Sequence, residues 1–329
     1  MLTWRIEALH LKLKHPRNTA AGALPEKTNF LVQVADGTYS GFGEAAPSIR
    51  FGETPELLLK QYQVLLMAGL PGVGSMEELL QLLLEHQPVN SLRFAVESAY
   101  LHYYCQHRGI AVHHLLGQQV PGQQPTCFTL PDIQPEQVRP FFYQYGLGRF
   151  SSIKVRVHRE QGLELVQEVL HTTDGMVAID GCESWQDPDE LLEFMSTLDR
   201  DRILFLEQPM PASHAAAYAH VKKLSPFPLI ADESVTDDAD FELLYTQFHG
   251  ISIKLMKAGG YLNAVRLLRE TKKHGMISVI GCMLETTLGV WSAMQLSSAF
   301  DFADLSSFMC IEGEPFELVR EQGGVLYLK

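Results

Sequence analysis

Polarity along the first 117 residues changes period once. Residues 2–13 alternate between apolar and polar and are rich in strand formers, and 30–34 and 39–43 read as two further strands joined at Asp36-Gly37. The polar stretch 17–27, with Gly22 and Pro25, predicts a loop between the first strand and this hairpin. From residue 55 the apolar positions recur at helical spacing, over 55–68, 76–86 and 91–107; the last places Leu92, Ala95, Val96 and Ala99 on one face. Three strands followed by helices predict a small α+β domain over 1–117.

Beyond it the period itself alternates. Short apolar runs at 126–130, 153–157, 177–180, 203–207, 229–232, 251–255, 277–280 and 304–309 are separated by helical stretches such as 161–172, 188–198, 214–223 and 262–274. Runs this short and this apolar suit strands buried on both faces of a parallel sheet. Eight such units predict an α/β chain with a (β/α)8-type barrel over 118–309, in preference to an open doubly wound sheet. A short segment, 310–329, remains.

Composition narrows the setting. The chain has 329 residues, 46% hydrophobic and 20% charged, enough for a sizeable core. Its net charge of −13 argues against a nucleic-acid partner, because phosphate backbones reward clustered Lys and Arg. The five cysteines (Cys105, Cys127, Cys182, Cys282, Cys310) form no CxxC pair and are odd in number, which predicts free thiols in a reducing, cytoplasmic compartment. The N-terminus lacks an apolar signal core, and no apolar run approaches the roughly 18 residues that predict a membrane span. The 13 histidines show no zinc-type spacing.

In a barrel the chemistry lies at the C-terminal ends of the strands, so the polar residues ending the apolar runs are the candidates. Successive runs end in Asp180, Glu207 and Asp232-Glu233. Each could cap the following helix. Three on neighbouring strands point instead to a hard divalent cation, which relieves carboxylate repulsion and takes oxygen ligands. Lys154 and Arg156 lie two apart, on one face of the second run. Lys254 ends the sixth, with Lys257 just after it. A lysine inside an apolar run is costly unless it pairs or works. Across a barrel the two groups face each other with the carboxylates between them. That arrangement suits abstraction of a proton α to a carboxylate: a cation stabilises the enediolate, and a lysine with a lowered pKa serves as base.

With these residues in hand the chain resembles the enolase superfamily, in its muconate-lactonizing-enzyme-like group. The resemblance rests on KVR at 154–156, Asp180, LEQP at 206–209, ADES at 231–234 and KLMKAGG at 254–260, and covers nearly the whole length. It implies a modified (β/α)7β TIM-type barrel with an N-terminal α+β capping domain and a C-terminal segment, 310–329, returning to the cap. It implies one Mg²⁺ per subunit, with Mn²⁺ as substitute, held by Asp180, Glu207 and Asp232, and Lys254 as acid/base. The partner implied is a small-molecule carboxylate, with no membrane or nucleic acid involved; the group's barrels associate, which allows a homo-oligomer. IKLMKAGG and IGCMLETTLG (280–289) look most like the dipeptide epimerases, which place one lysine on each face of an α-carbon.

Three departures set this chain apart. Arg156 stands where the second lysine of K-x-K is usual, and a guanidinium is a poor base. Cys182 stands two after Asp180, where Asn is usual. The epimerases' Asp-x-Asp near the last strand, which holds the substrate ammonium, aligns on Gly313 with Cys310 and Glu312, with Glu314 in reach. The candidate site is therefore Lys254, Lys154 and Arg156 for catalysis, Asp180, Glu207 and Asp232 for metal, and Glu233, Lys257, Glu285, Cys310 and Glu312 for substrate. By the same resemblance the 17–27 loop and 49–52 close over the substrate. Gly259-Gly260 is either a plain turn or a backbone anion site, and Trp185 either walls the site or only packs. Dipeptide or N-acylamino acid epimerisation is the leading expectation. Syn dehydration of the o-succinylbenzoate synthase type needs only one base and is the runner-up; a metal-binding homologue without turnover is the third.

Overall fold

The computed structural model describes residues 1–19 and 22–329, with the side chains of all of these except 17–19, 22 and 23. Strands β1 (Thr3–Thr19), β2 (Gly22–Ala35) and β3 (Ser40–Ala45) form an antiparallel sheet in that order. Phe30, Val32 and Val34, spaced by two, turn one face of β2 onto Leu58, Tyr62 and Leu65 of helix α1 (Pro55–Met67). Helices α2 (Met76–His86) and α3 (Asn90–Arg108) complete this cap. Thr54 and Ser75 start α1 and α2 by accepting the backbone N–H of Leu57 and Glu78.

The expected loop at 17–27 is corrected. β1 and β2 stay paired out to Thr19 and Gly22, with a register shift between Lys12 and Arg17. Polar residues fit such a ribbon because each strand satisfies the other's backbone and neither face needs burial. Residues 20–21 of that stretch lie outside the described residues.

After α4 (Val112–Leu115) and the short strand β4 (Gln124–Pro125) come the barrel strands. They are β5 (Phe128–Thr129), β6 (Ser152–Arg156), β7 (Met176–Asp180), β8 (Ile203–Glu207), β9 (Leu229–Ala231), β10 (Gly250–Lys254), β11 (Ile277–Gly281) and β12 (Phe302–Asp304), all parallel and in sequential order. Helices cross over between most of them. The seam between β12 and β5 is drawn together where Cys127 N–H donates to the Ala303 carbonyl (3.0 Å) and Leu305 N–H to Thr126 Oγ1 (2.9 Å). The barrel is thus nearly closed. Cys127, Ala178, Phe205, Ile230 and Val279 fill its inside. A filled interior leaves the strand ends as the place for a site.

The last strand lies earlier than expected. The apolar run 304–309 predicts a strand beginning at Asp304; the strand is Phe302–Asp304, and Ser307–Cys310 is a 3-10 turn. Ser306 is drawn out of the ladder, its hydroxyl accepting Thr129 N–H (3.1 Å). Asp304 therefore ends a barrel strand.

The cap is fastened to the barrel by a buried carboxylate. Glu44 accepts from Asn29 Nδ2 (2.7 Å), Thr286 Oγ1 (2.6 Å) and Gly289 N (3.1 Å), at the start of helix α12 (Thr287–Ser297). Near the C-terminus Ile311 bridges Leu13 of β1, and the hairpin β13 (Val319–Gln322)–β14 (Val325–Leu328) pairs with β4. Among the described residues no helix is long and apolar enough to cross a membrane.

Candidate active site

Parallel register brings the strand-end residues to one level. Arg156 pairs with Asp180, and Asp180 with Glu207, across β6, β7 and β8. Lys254 pairs with Gly281, and Gly281 with Asp304, across β10, β11 and β12. Gly281 leaves room for Lys254: a Cβ there would sit 3.0 Å from Lys254 Cε, so the lysine would have to shift by a few tenths of an ångström. Asp232 follows β9, its backbone N–H held by the buried Gln208 (2.8 Å).

The ion pairs divide into two sets. Lys154, buried, donates to Glu207 Oε2 (2.8 Å) and Asp304 Oδ2 (2.9 Å) and lies 3.9 Å from Asp180. Lys254 donates to Asp232 Oδ2 (2.6 Å), while buried Lys257 holds the same residue by its other oxygen and its carbonyl. Arg156 pairs with Asp132 (3.1 Å) on the wall of the same cavity. Burial opposes the charge on Lys154 and Lys254. Asp304 and Glu207 around Lys154, and Asp232 and Glu207 around Lys254, outweigh burial and raise both. The expected lowered lysine pKa is thus not met in this arrangement, because unquenched carboxylates hold the protons on. Of these three site lysines, Lys257 is the one that is lowered, chiefly by burial. Arg156 is raised: burial is outweighed by Cys182, Asp180 and Asp132.

Burial pushes Glu207 up to about 8 and Glu233 to about 7, whereas Lys254 and Lys257 overcome burial to hold Asp232 low. Glu207 Oε1 and Glu233 Oε2 are buried without a hydrogen-bond partner. Six carboxyl groups (Asp132, Asp180, Glu207, Asp232, Glu233, Asp304) surround four cations (Lys154, Arg156, Lys254, Lys257), an excess of two negative charges when all six are ionised, which burial of Glu207 and Glu233 resists. Orphaned carboxylate oxygens, all-oxygen donors and that excess fit a hard divalent cation. Among the described residues no three acidic, His or Cys side chains yet converge on a point: Asp232 is turned to its lysines and Glu207 to Lys154.

The other expected residues separate. A cavity of about 130 Å³ is lined by Lys154, Arg156, Asp180, Lys254, Asp304 and Cys310, among others. Glu285 is buried beside it, accepts Met283 N–H (2.6 Å), and is pushed by burial to about 8. Glu312 does not join: it pairs with Lys12 on the exposed edge of β1 (2.9 Å). The acid that the last strand brings to the cavity is instead Asp304, with Ser306 two residues on. Glu314 is taken up by Thr287 N and Oγ1 (both 2.9 Å). Trp185 is buried against Phe194, the packing alternative. Gly259-Gly260 is a turn, and just after it the Leu262 N–H donates to an internal carboxyl group, that of Glu97 on α3 (3.0 Å). Cys182 donates its N–H to Asp180 Oδ1 (3.0 Å). Arg50, in the 49–52 segment, ties the cap to the barrel at Glu183 (2.8 Å).

Sequence reasoning missed Asp132, Asp304 and Ser306. Asp304 obeys the same strand-end rule as Asp180 and was hidden only because the expected run ended at 309, five residues past the strand's end. Asp132 lies just past the first barrel run, in Leu130-Pro131-Asp132, where the same rule extends by two positions.

The comparisons agree with this arrangement. Residues 136–317 match the family described as Enolase C-terminal domain-like. An L-Ala-D/L-Glu epimerase of Bacteroides thetaiotaomicron is 28% identical over 319 residues, covering 97% of this chain and 83% of that protein. A mandelate racemase/muconate lactonizing protein from Herpetosiphon aurantiacus superposes with a TM-score of 0.89 at 26% identity, covering 99% of this chain and 95% of the other. A dipeptide epimerase from Cytophaga hutchinsonii, solved with Mg and the dipeptide D-Ala-L-Val, shares the fold with a TM-score of 0.88 at 22% identity, over 99% and 93% of the two chains. A strand-end ring of acids and lysines, and a family match spanning more than half the sequence, lead to one conclusion: the chain belongs to the enolase superfamily.

Proposed function

We propose that this protein is a Mg²⁺-dependent isomerase that removes the proton α to a carboxylate, forming an enediolate, and epimerises a dipeptide or N-acylamino acid. The observation that carries the reading is the facing of Lys254 on β10 and the Lys154/Arg156 strand β6 across Asp180, Glu207 and Asp232. The epimerase names of its relatives support the reaction class. Asp180, Glu207 and Asp232 would hold the cation, which supplies charge stabilisation for a substrate carboxylate when bound.

The chain's own residues do the rest. Lys254 can take the α-proton on its face only as the neutral amine, a state that would be reached once Asp232 and Glu207, which hold its proton on, are engaged by a cation instead; Lys257 fixes Asp232 beside it. Arg156, charged at any working pH, stabilises the developing negative charge from the opposite side. On that face Lys154 is the group able to return a proton. A second reading, one-base syn dehydration, is favoured by a single observation: the Arg156 guanidinium, pinned on Asp132, cannot act as a base. The test is α-deuterium uptake in D₂O by dipeptides and N-succinylamino acids with Mg²⁺, read by mass spectrometry. Uptake with inversion supports epimerisation. Uptake without inversion directs attention to dehydration. No uptake leaves the metal-binding homologue without turnover.

A further inference from the structure

The acids that line the cavity are already engaged by cations of the protein. Three acids line it, Asp132, Asp180 and Asp304, and each faces a cation of the protein: Arg156 at 3.1 Å, and Lys154 at 3.9 and 2.9 Å. Both oxygens of Asp304 are engaged, Oδ2 by Lys154 and Oδ1 by Thr129 Oγ1 (2.9 Å). Two residues on stands Ser306, uncharged, its hydroxyl already accepting from Thr129. A substrate ammonium desolvated there would be uncompensated, which is costly.

Beside it lies a second cavity of about 420 Å³. The two adjoin at His15, Pro131 and Cys310, which line both. Its walls are largely apolar: Phe128, Phe141, Tyr145, Leu147, Phe308 and Met309. Its charged groups are already paired. Lys14 donates to the Met309 carbonyl (2.8 Å), Arg149 to Glu321 (2.9 Å), and Glu314 accepts from Thr287 (2.9 Å). The shared wall is aromatic. The His15 ring meets Phe141 and Tyr145 edge-on at 5.1 and 5.5 Å and pairs with the Tyr145 hydroxyl (3.0 Å). The volume lies in the range of small-molecule sites, about 300–1,000 Å³. Phe308 and Met309 belong to the 3-10 turn that follows Ser306, so the chain itself leads from the strand-end position to this annex.

We propose that the preferred substrate carries no ammonium: an N-acylamino acid whose acyl chain passes Asp304 and Ser306 and whose aromatic end enters the annex past His15 and Cys310. This rests on the α-proton reading of the site. Three matched compounds test it: L-phenylalanyl-L-leucine; N-(3-phenylpropanoyl)-L-leucine, which is the same molecule without its ammonium; and N-acetyl-L-leucine, which lacks the aromatic group. Calorimetric titration into the Mg²⁺-loaded protein should show the phenylpropanoyl compound binding about ten-fold tighter than either other, the weight of one buried aromatic group. Met309→Trp, which fills the annex, and Tyr145→Ala, which opens a partly exposed wall, should each narrow its lead over the acetyl compound. Tighter binding of the free dipeptide, equal binding of the two acyl compounds, or no binding at all overturns the proposal. Deuterium exchange on the same compounds separates the two levels. Exchange confined to the dipeptide sinks the annex and keeps the α-proton reading. Acyl preference without any exchange sinks the α-proton reading instead.

Discussion

The two sides of the site are built from similar residues and behave differently. On β10, Lys254 meets Asp232 with no other carboxylate hydrogen-bonded to its ammonium, and Lys257 shares that acid. On β6, Lys154 is shared between Glu207 and Asp304, and Arg156 is paired with Asp132. The same strand geometry thus gives one face a lysine with a single carboxylate hydrogen-bonded to it and the other a fixed cation plus a lysine shared between two carboxylates. Under the proposed function the two faces would therefore be chemically unequal, and the inequality comes down to the charge partners each strand end can reach.

Breaking the active face has the largest expected effect. Lys254→Ala should lower α-proton exchange by about 10³-fold, the scale of a lost general base; exchange at the wild-type rate would falsify its assignment. Removing the metal comes next. Chelation should abolish exchange and added Mg²⁺ restore it, and Glu207→Gln should weaken Mg²⁺ binding in a calorimetric titration without loss of fold. Activity surviving exhaustive chelation would remove the metal from the account.

Arg156→Lys sharpens the comparison rather than breaking it. It should make inversion keep pace with exchange, because a lysine there can carry a proton; chiral chromatography of the products reads this, and an unchanged ratio would show that Arg156 does not limit the second face. Asp132→Asn should act more gently, changing the rate by about ten-fold through lost orientation of Arg156. If it equals Arg156→Ala in effect, Asp132 has a more direct role.

The smallest effect is on stability and lies away from the chemistry. Burial raises the carboxyl of Glu97 to about 7 from 4.5, against hydrogen bonds from the start of helix α11 (Tyr261–Lys273). The folded state therefore holds this proton more tightly than the unfolded chain. Its contribution is complete below pH 4.5 and is lost as pH rises through about 7, by about 3 kcal/mol at most. Glu97→Gln should raise the melting temperature at pH 8 and leave it unchanged at pH 4. A shift of equal size at both pH values would assign the effect to packing.

How much of this was legible beforehand depended on how local each signal was. Asp180, Glu207, Asp232 and Lys254 end unmistakable apolar runs, so strand periodicity alone placed them at one rim. The 17–27 ribbon was not legible, since polar residues are compatible with a loop and with a strand whose two faces stay wet. Asp304 escaped because Phe308 and Met309 extend the apolar pattern although Ser306 has left the ladder to reach Thr129. Glu312 looked like a site acid by spacing and went instead to Lys12, a partner some 300 residues away that no local pattern reveals. The pinning of Arg156 by Asp132 is likewise a contact between two strands' ends and has no signature within either.

The most direct measurement follows the α-hydrogen of each isomer separately. Both configurations of a substrate found to exchange would be incubated with the Mg²⁺-loaded protein in D₂O, and deuterium uptake and inversion timed side by side. Unequal faces predict that the isomer presenting its hydrogen to Lys254 gains deuterium faster than it inverts, and that the opposite isomer gains it only on inverting. Equal rates from both isomers, with one inversion for every exchange, would contradict the account.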